Sequence, residues 1–208
     1  NGGTIKAQSG AVELRGGGSF VGTSHHMGVV RIGAGTYEFL ASSVVVGSGL
    51  TVDGVNPDNS TQVTTIVGDA VVSRLNLIRG EVTGSGNISI TESFAWSGGR
   101  MSGSGQTTVT FGAVAAINST VQKDLNRELV VQGTVNYSDD NLAFGSAGTL
   151  TVPVGGVFNF IGDSSLRNNG LGSKVNLSGA LVKFSGTGSS RVEVPLNSNG
   201  GTINAKVG

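Results

Sequence analysis

Phe94-Ala-Trp96-Ser-Gly98-Gly99-Arg100-Met101-Ser-Gly103-Ser-Gly105-Gln-Thr-Thr-Val109 is the stretch on which the reading of the fold turns. Nineteen residues earlier the chain carries a weaker copy, Gly80-Glu-Val82-Thr-Gly84-Ser-Gly86-Asn-Ile88-Ser-Ile90. Both copies run glycine, charged residue, apolar residue, Thr/Ser-Gly-Ser-Gly, and then a short strand of alternating character. A phrase that returns at a period near twenty residues is the signature of a solenoid, whose unit cannot bury its apolar face without a neighbour.

Working outward, glycine-led strand starts keep similar time. Gly133-Thr-Val135, Gly156-Val-Phe158, Gly179-Ala-Leu181 and Gly201-Thr-Ile203 follow one another at 23, 23 and 22 residues. Each opens a strand of period-two alternation: Thr134 to Tyr137, Val157 to Phe160, Ala180 to Phe184, and Thr202 to Ala205. Second strands are expected at Thr149 to Val152 and Val175 to Leu177. Toward the N-terminus they are expected at Thr4 to Ala7, Ala11 to Leu14, Val29 to Ile32, Tyr37 to Leu40 and Leu50 to Val52. Gln122 to Arg127 reads as a turn between coils, Asn56-Pro57-Asp58-Asn59-Ser60 as a protruding loop, and Arg191 to Val194 as strand alternation. No window has a helical period with caps.

Two architectures use many short strands. An antiparallel sandwich has no reason to space matching phrases evenly, whereas stacked coils do. The expected fold is therefore all-β, a parallel β-helix of coils of about 19–23 residues, with Val82 over Met101 and Val135, Phe158 and Leu181 in one column. Three buried aliphatic side chains per coil are worth roughly 5–9 kcal/mol gross, before entropy is subtracted. At that period the 208 residues make about ten coils of a single domain. The two ends match at seven of ten positions, Asn1-Gly-Gly-Thr-Ile5-Lys-Ala7-Gln-Ser-Gly10 against Asn199-Gly-Gly-Thr-Ile203-Asn-Ala205-Lys-Val-Gly208. Residues 1–208 are thus expected to cover about one unit of a tandem repeat of roughly 200 residues.

Composition sets further bounds. With 13 basic against 13 acidic residues the net charge is zero, which provides no electrostatic footprint for nucleic acid. No apolar run is long enough to span a membrane. The absence of cysteine excludes a disulfide framework and a thiolate metal site. The start at Asn1 is read as that of a processed protein or an excised piece.

The phrase aromatic-x-Trp-Ser-Gly-Gly-x-Met-Ser-Gly-Ser-Gly-x-Thr-x-Val, at Phe94 to Val109, resembles a recurring motif of very large secreted bacterial repeat proteins of the filamentous-haemagglutinin and autotransporter adhesin kind. Val182 to Val192 and Asn199 to Ile203 are similar to coils of the same class. The likeness is good from about Leu75 to Gly208 and poorer from Gly18 to Gly68. It implies a right-handed β-helix and a secreted or cell-surface location, and the motif contains no catalytic residue.

Candidate sites are few. Trp96 and Tyr137 are candidates for a carbohydrate platform because aromatic rings offer an apolar face beside a polar edge. For Trp96 the competing reading is packing between coils with Phe94 and Met101. Asp139 and Asp140 could present clustered oxygens to a ligand, yet they lack the spacing of known calcium loops. His25-His26 point to opposite faces of a strand and have no third partner at metal-site spacing. Glu13, Arg15, Arg31, Glu38, Arg74, Glu81, Glu92 and Arg100 form no acid cluster such as glycoside hydrolysis requires. Glu81 and Arg100 occupy equivalent coil positions and are expected to form a stacked ion pair. Thr108-x-Thr110 and Thr149-x-Thr151 are the Thr-x-Thr pairs that an ice-binding ladder would repeat, but Leu129 to Val131 interrupts them. The five Asn-x-Ser/Thr sequons, at Asn59, Asn87, Asn118, Asn136 and Asn176, suit asparagine-rich turns.

The expectation is a structural or adhesive solenoid segment, not an enzyme. It needs no cofactor or metal, and its partners would be glycans or a host or neighbouring cell surface, together with end-to-end self-association. Carbohydrate binding or polysaccharide cleavage is the alternative, with ice binding behind it.

Overall fold

The computed structural model describes residues 5, 8–21, 23–26, 28–40, 43–47, 49–54, 63–138 and 141–206. Among them there is no helix, and all strand pairing is parallel. The chain winds into a parallel β-solenoid of about 8 turns with three faces. One coil shows the plan: Lys123–Leu125 lies on the third face, Glu128–Val131 on the second and Thr134–Tyr137 on the first. The third face is a separate sheet of 8 strands. The other two join into one sheet of 17 strands because Ala70–Arg79 and Ile88–Trp96 each run round the corner between them.

Register explains the sequence period. On the first face Val12, Val30, Leu50, Leu75, Phe94, Ala115, Val135, Phe158, Leu181 and Ile203 stack one above another, at spacings of 18 to 25 residues. The expected Val135–Phe158–Leu181 column and the Val82–Met101 pair are both present. The longest spacing, between Leu50 and Leu75, contains the Asn56–Ser60 segment, which lies outside the described residues.

Alternation along each strand sends one set of side chains inward, where each coil covers the apolar floor of the next. Leu77, Trp96, Ile117 and Tyr137 form a second inward column with no exposed surface. The largest rings pack in local stacks, Phe94 on Trp96 at 5.9 Å and Phe158 edge-on to Phe160 at 5.4 Å between centroids. Such pairs add about 0.5–1.5 kcal/mol to area burial.

The repeated Gly-Ser-Gly phrase forms the corner between the third and second faces. A Cβ on Gly103 would stand 2.3 Å from the carbonyl oxygen of Gly84, and one on Gly105 would stand 2.1 Å from that of Gly86. Backbones of adjacent coils approach too closely there for any side chain. Gly84 and Gly103 also hold φ of 111° and 88°, which glycine adopts without penalty.

Several expectations change. About eight turns are complete, one for each strand of the third face, while the first face stacks ten strands at spacings of 18 to 25 residues, a wider spread than expected. Gln122 to Arg127 is not simply a turn: Lys123–Leu125 pairs with Gly99–Met101 below and Leu142–Phe144 above. Around Arg191 to Val194 only a single bridge forms, from Val192 to Leu166. Thr4 to Ala7 falls almost wholly outside the described residues.

Candidate functional site

The outward positions of the first face form one register: Glu13, Arg31, Thr51, Asn76, Ala95, Ala116, Asn136, Asn159, Val182 and Asn204. Its two halves differ in chemistry. The N-terminal half carries charge, and the half from Ala95 onward carries only small, amide or aliphatic side chains.

In the charged half, Asp53 is nearly buried and accepts from Arg79 Nε at 2.8 Å and from Arg31 Nη2. Arg74 Nε donates to Glu92 at 2.8 Å, and Arg15 stands 3.7 Å from Glu13. Each of these carboxylates thus stands within ion-pair distance of a guanidinium group. Asp53 and Arg79 are the centre of the network that the sequence did not reveal, because the 55–62 segment obscures the coil period between them.

In the uncharged half, a groove of about 440 Å³ is lined by Ala116, Asn118, Asn136, Ser138, Asn159, Ile161 and Phe184. Asn159 Nδ2 donates to Asn136 Oδ1 at 2.9 Å, locking the two amides one coil apart. Phe184 is 51% exposed, with the Lys206 ammonium 4.8 Å from its ring centroid.

The aromatic residues chosen from sequence lie elsewhere. Trp96 has no exposed surface, stacks on Phe94 and donates Nε1–H to the Gly98 carbonyl at 3.0 Å. Tyr137 is equally buried; its hydroxyl donates to Ser165 O at 2.8 Å and accepts from Leu142 N at 3.1 Å. Neither ring offers a face to a ligand, because both occupy inward strand positions. Asp139 and Asp140 lie outside the described residues, as do the side chains of His25 and His26 on the strand Thr23–His26. Glu81 and Arg100 are register partners as expected, but they do not pair: Arg100 donates to Asp124 at 3.3 Å, and Glu81 accepts from Ser102 Oγ. On the second face Val130 separates Thr108 from Thr151, so the threonine ladder is interrupted in space as in sequence.

Two buried cations escaped sequence reading. Lys123 is fully buried and donates Nζ to the carbonyls of Ser119 and Val121 at 2.9 and 2.6 Å. Arg127 is 2% exposed and reaches back across two coils, donating to Ser102 O at 3.2 Å and Gly86 O at 2.9 Å. Its corner is short, Leu125-Asn-Arg127-Glu-Leu129 where the coil below needs Met101-Ser-Gly103-Ser-Gly105-Gln-Thr107. The side chain takes up the space that the missing backbone leaves. Burial lowers its pKa to about 10, still far enough above neutral to keep it a cation.

Among the described residues no three His, Cys, Asp or Glu side chains come together as a metal site, and no helix is long and apolar enough to cross a membrane. Fold and surface define a parallel β-solenoid protein. No family model, curated protein or solved structure matches the chain.

Proposed function

We propose that this chain is a structural segment of a rod: a stalk or adhesive surface belonging to a secreted or cell-surface bacterial protein. The observation that carries the reading is the continuity of the inward columns, from Val12 to Ile203, beneath outer faces whose charged groups neutralise one another. Stacked coils lengthen by about 4.8 Å per turn, so such a fold converts added sequence into added reach. The second face supports the same role. Its outward side chains are joined along the rod, with Gln106 Nε2 and Thr151 Oγ1 donating to Glu128 at 3.0 and 2.7 Å. Asn197 Nδ2 extends the pattern by donating to Asn176 Oδ1 at 3.3 Å. These bonds hold coils to each other and leave little chemistry for turnover.

Location is tested with antibodies raised against the folded chain and applied to intact and permeabilised cells of the organism that carries the gene. Labelling of intact cells is expected. Labelling that requires permeabilisation would contradict a surface role.

A further inference from the structure

The groove on the first face joins two kinds of group at the pitch of the coils. Asn118, Asn136, Ser138 and Asn159 supply hydroxyl and amide groups, and Ile161 and Phe184 supply apolar surface. We propose that it binds a neutral oligosaccharide lying along the rod axis, which would give the adhesive form of the function proposed above a specific ligand class.

The chemistry selects that ligand. An amide side chain carries two N–H donors and an acceptor oxygen. The Asn159–Asn136 bond uses one donor and one acceptor lone pair. The Asn136 amide N–H groups and the Asn159 carbonyl oxygen stay outside that bond, side by side on adjacent coils. Vicinal sugar hydroxyls, each both donor and acceptor, match that pairing. The C–H face of a pyranose is apolar and packs on an aromatic ring, the part that Phe184 can play.

Charge and dimension agree. No lining side chain is ionised, and the Lys206 ammonium is already engaged over the Phe184 ring, 4.8 Å from its centroid, so the lining itself offers no charge to repay the desolvation of a charged ligand. The groove crosses four coils, from Ala116 through Asn136 and Asn159 to the coil of Phe184. Three steps at the strand spacing span about 14 Å, room for a short run of pyranose units at close to one unit per coil. Side chains fixed on stacked strands lose little freedom when the ligand arrives.

The test is saturation-transfer NMR followed by calorimetry, with cellotriose, xylotriose, chitotriose and maltotriose as neutral probes and trigalacturonate as the charged one. At least one neutral probe is expected to bind with Kd of about 0.1–1 mM. Phe184→Ala should weaken it at least about tenfold and Asn136→Ala about threefold to tenfold, taking a tenfold change as 1.4 kcal/mol. Phe111→Ala should leave binding unchanged, since Phe111 is 86% exposed at a different corner. Thermal melting confirms that each variant is folded. The proposal is overturned by silence from all neutral probes at about 10 mM, well above that Kd range. Binding of trigalacturonate alone overturns it too, as does equal weakening by Phe184→Ala and Phe111→Ala. None of these results bears on surface labelling, so the groove and the rod stand or fall separately.

Discussion

Arg127 gives the sharpest test of how the corners are held. Its guanidinium donates to Ser102 O and Gly86 O, and neither oxygen accepts a backbone hydrogen bond among the described residues. Removing the donor orphans the buried Gly86 carbonyl, at about 1–3 kcal/mol, and the partly buried Ser102 carbonyl, at less because water can reach it. Against this, a buried cation carries a desolvation penalty of several kcal/mol that the substitution relieves. The group has no carboxylate partner, and its Nε is buried without any partner at all. For Arg127→Met, which keeps apolar volume, the balance is an expected loss of about 2 kcal/mol. Arg127→Ala adds a cavity and should lose about 3–5 kcal/mol. The assay is urea unfolding followed by the fluorescence of Trp96, the sole tryptophan and fully buried. An Arg127→Met protein within about 0.5 kcal/mol of the parent would refute the reasoning, since it would mean the carbonyls gain nothing net from the cation.

Trp96→Ala removes a ring with no exposed surface and should lower stability by about 3–5 kcal/mol, read from thermal melting; a loss below about 1 kcal/mol would mean the ring is not in the core. Gly103→Ala should be more damaging than Gly112→Ala, because its Cβ would lie 2.3 Å from Gly84 O while that of Gly112 meets nothing within 4 Å. Both glycines have positive φ, so Gly112→Ala should cost only about 1–2 kcal/mol of backbone strain, and equal melting temperatures would count against the close approach of coils. Asp163 has its pKa lowered by the Lys183 hydrogen bond and then by Gly188 N–H. Its stabilisation is therefore present above the ordinary carboxyl pKa and fades as pH falls through the lower folded value. Asp163→Asn should remove that acid-side step and speed hydrogen exchange at Gly188; an unchanged acid titration would dismiss the contact.

The fold was legible where glycine and apolar residues recur at nearly constant spacing. Gly133, Gly156, Gly179 and Gly201 open coils that differ by one residue at most in length, so Val135, Phe158, Leu181 and Ile203 align by inspection. The third face was harder to see. Lys123–Leu125, Leu142–Phe144 and Leu166–Asn168 are three residues each, too short for alternation, and Lys123 hides an inward position behind a charged side chain. The groove was illegible for another reason. Asn136, Asn159 and Phe184 come from different coils and look individually like ordinary surface, and only the register brings them together. Trp96 qualified as a sugar platform by its ring chemistry alone, yet its spacing of two from Phe94 already placed both on one strand face, which proves to be the inner one.

The stacking itself is tested most directly by three spin-label distances. The chain has no cysteine, so Glu13→Cys, Ala95→Cys and Asn204→Cys can be labelled in pairs without background. These positions share one outward register, four coils apart from Glu13 to Ala95 and five from Ala95 to Asn204. At the strand spacing the separations should be about 19 and 24 Å, and that from Glu13 to Asn204 about 43 Å, their sum. Additive distances mean a straight stack of parallel coils in the stated register. A Glu13–Asn204 distance well short of the other two combined would mean that the chain folds back on itself, and the solenoid would be wrong.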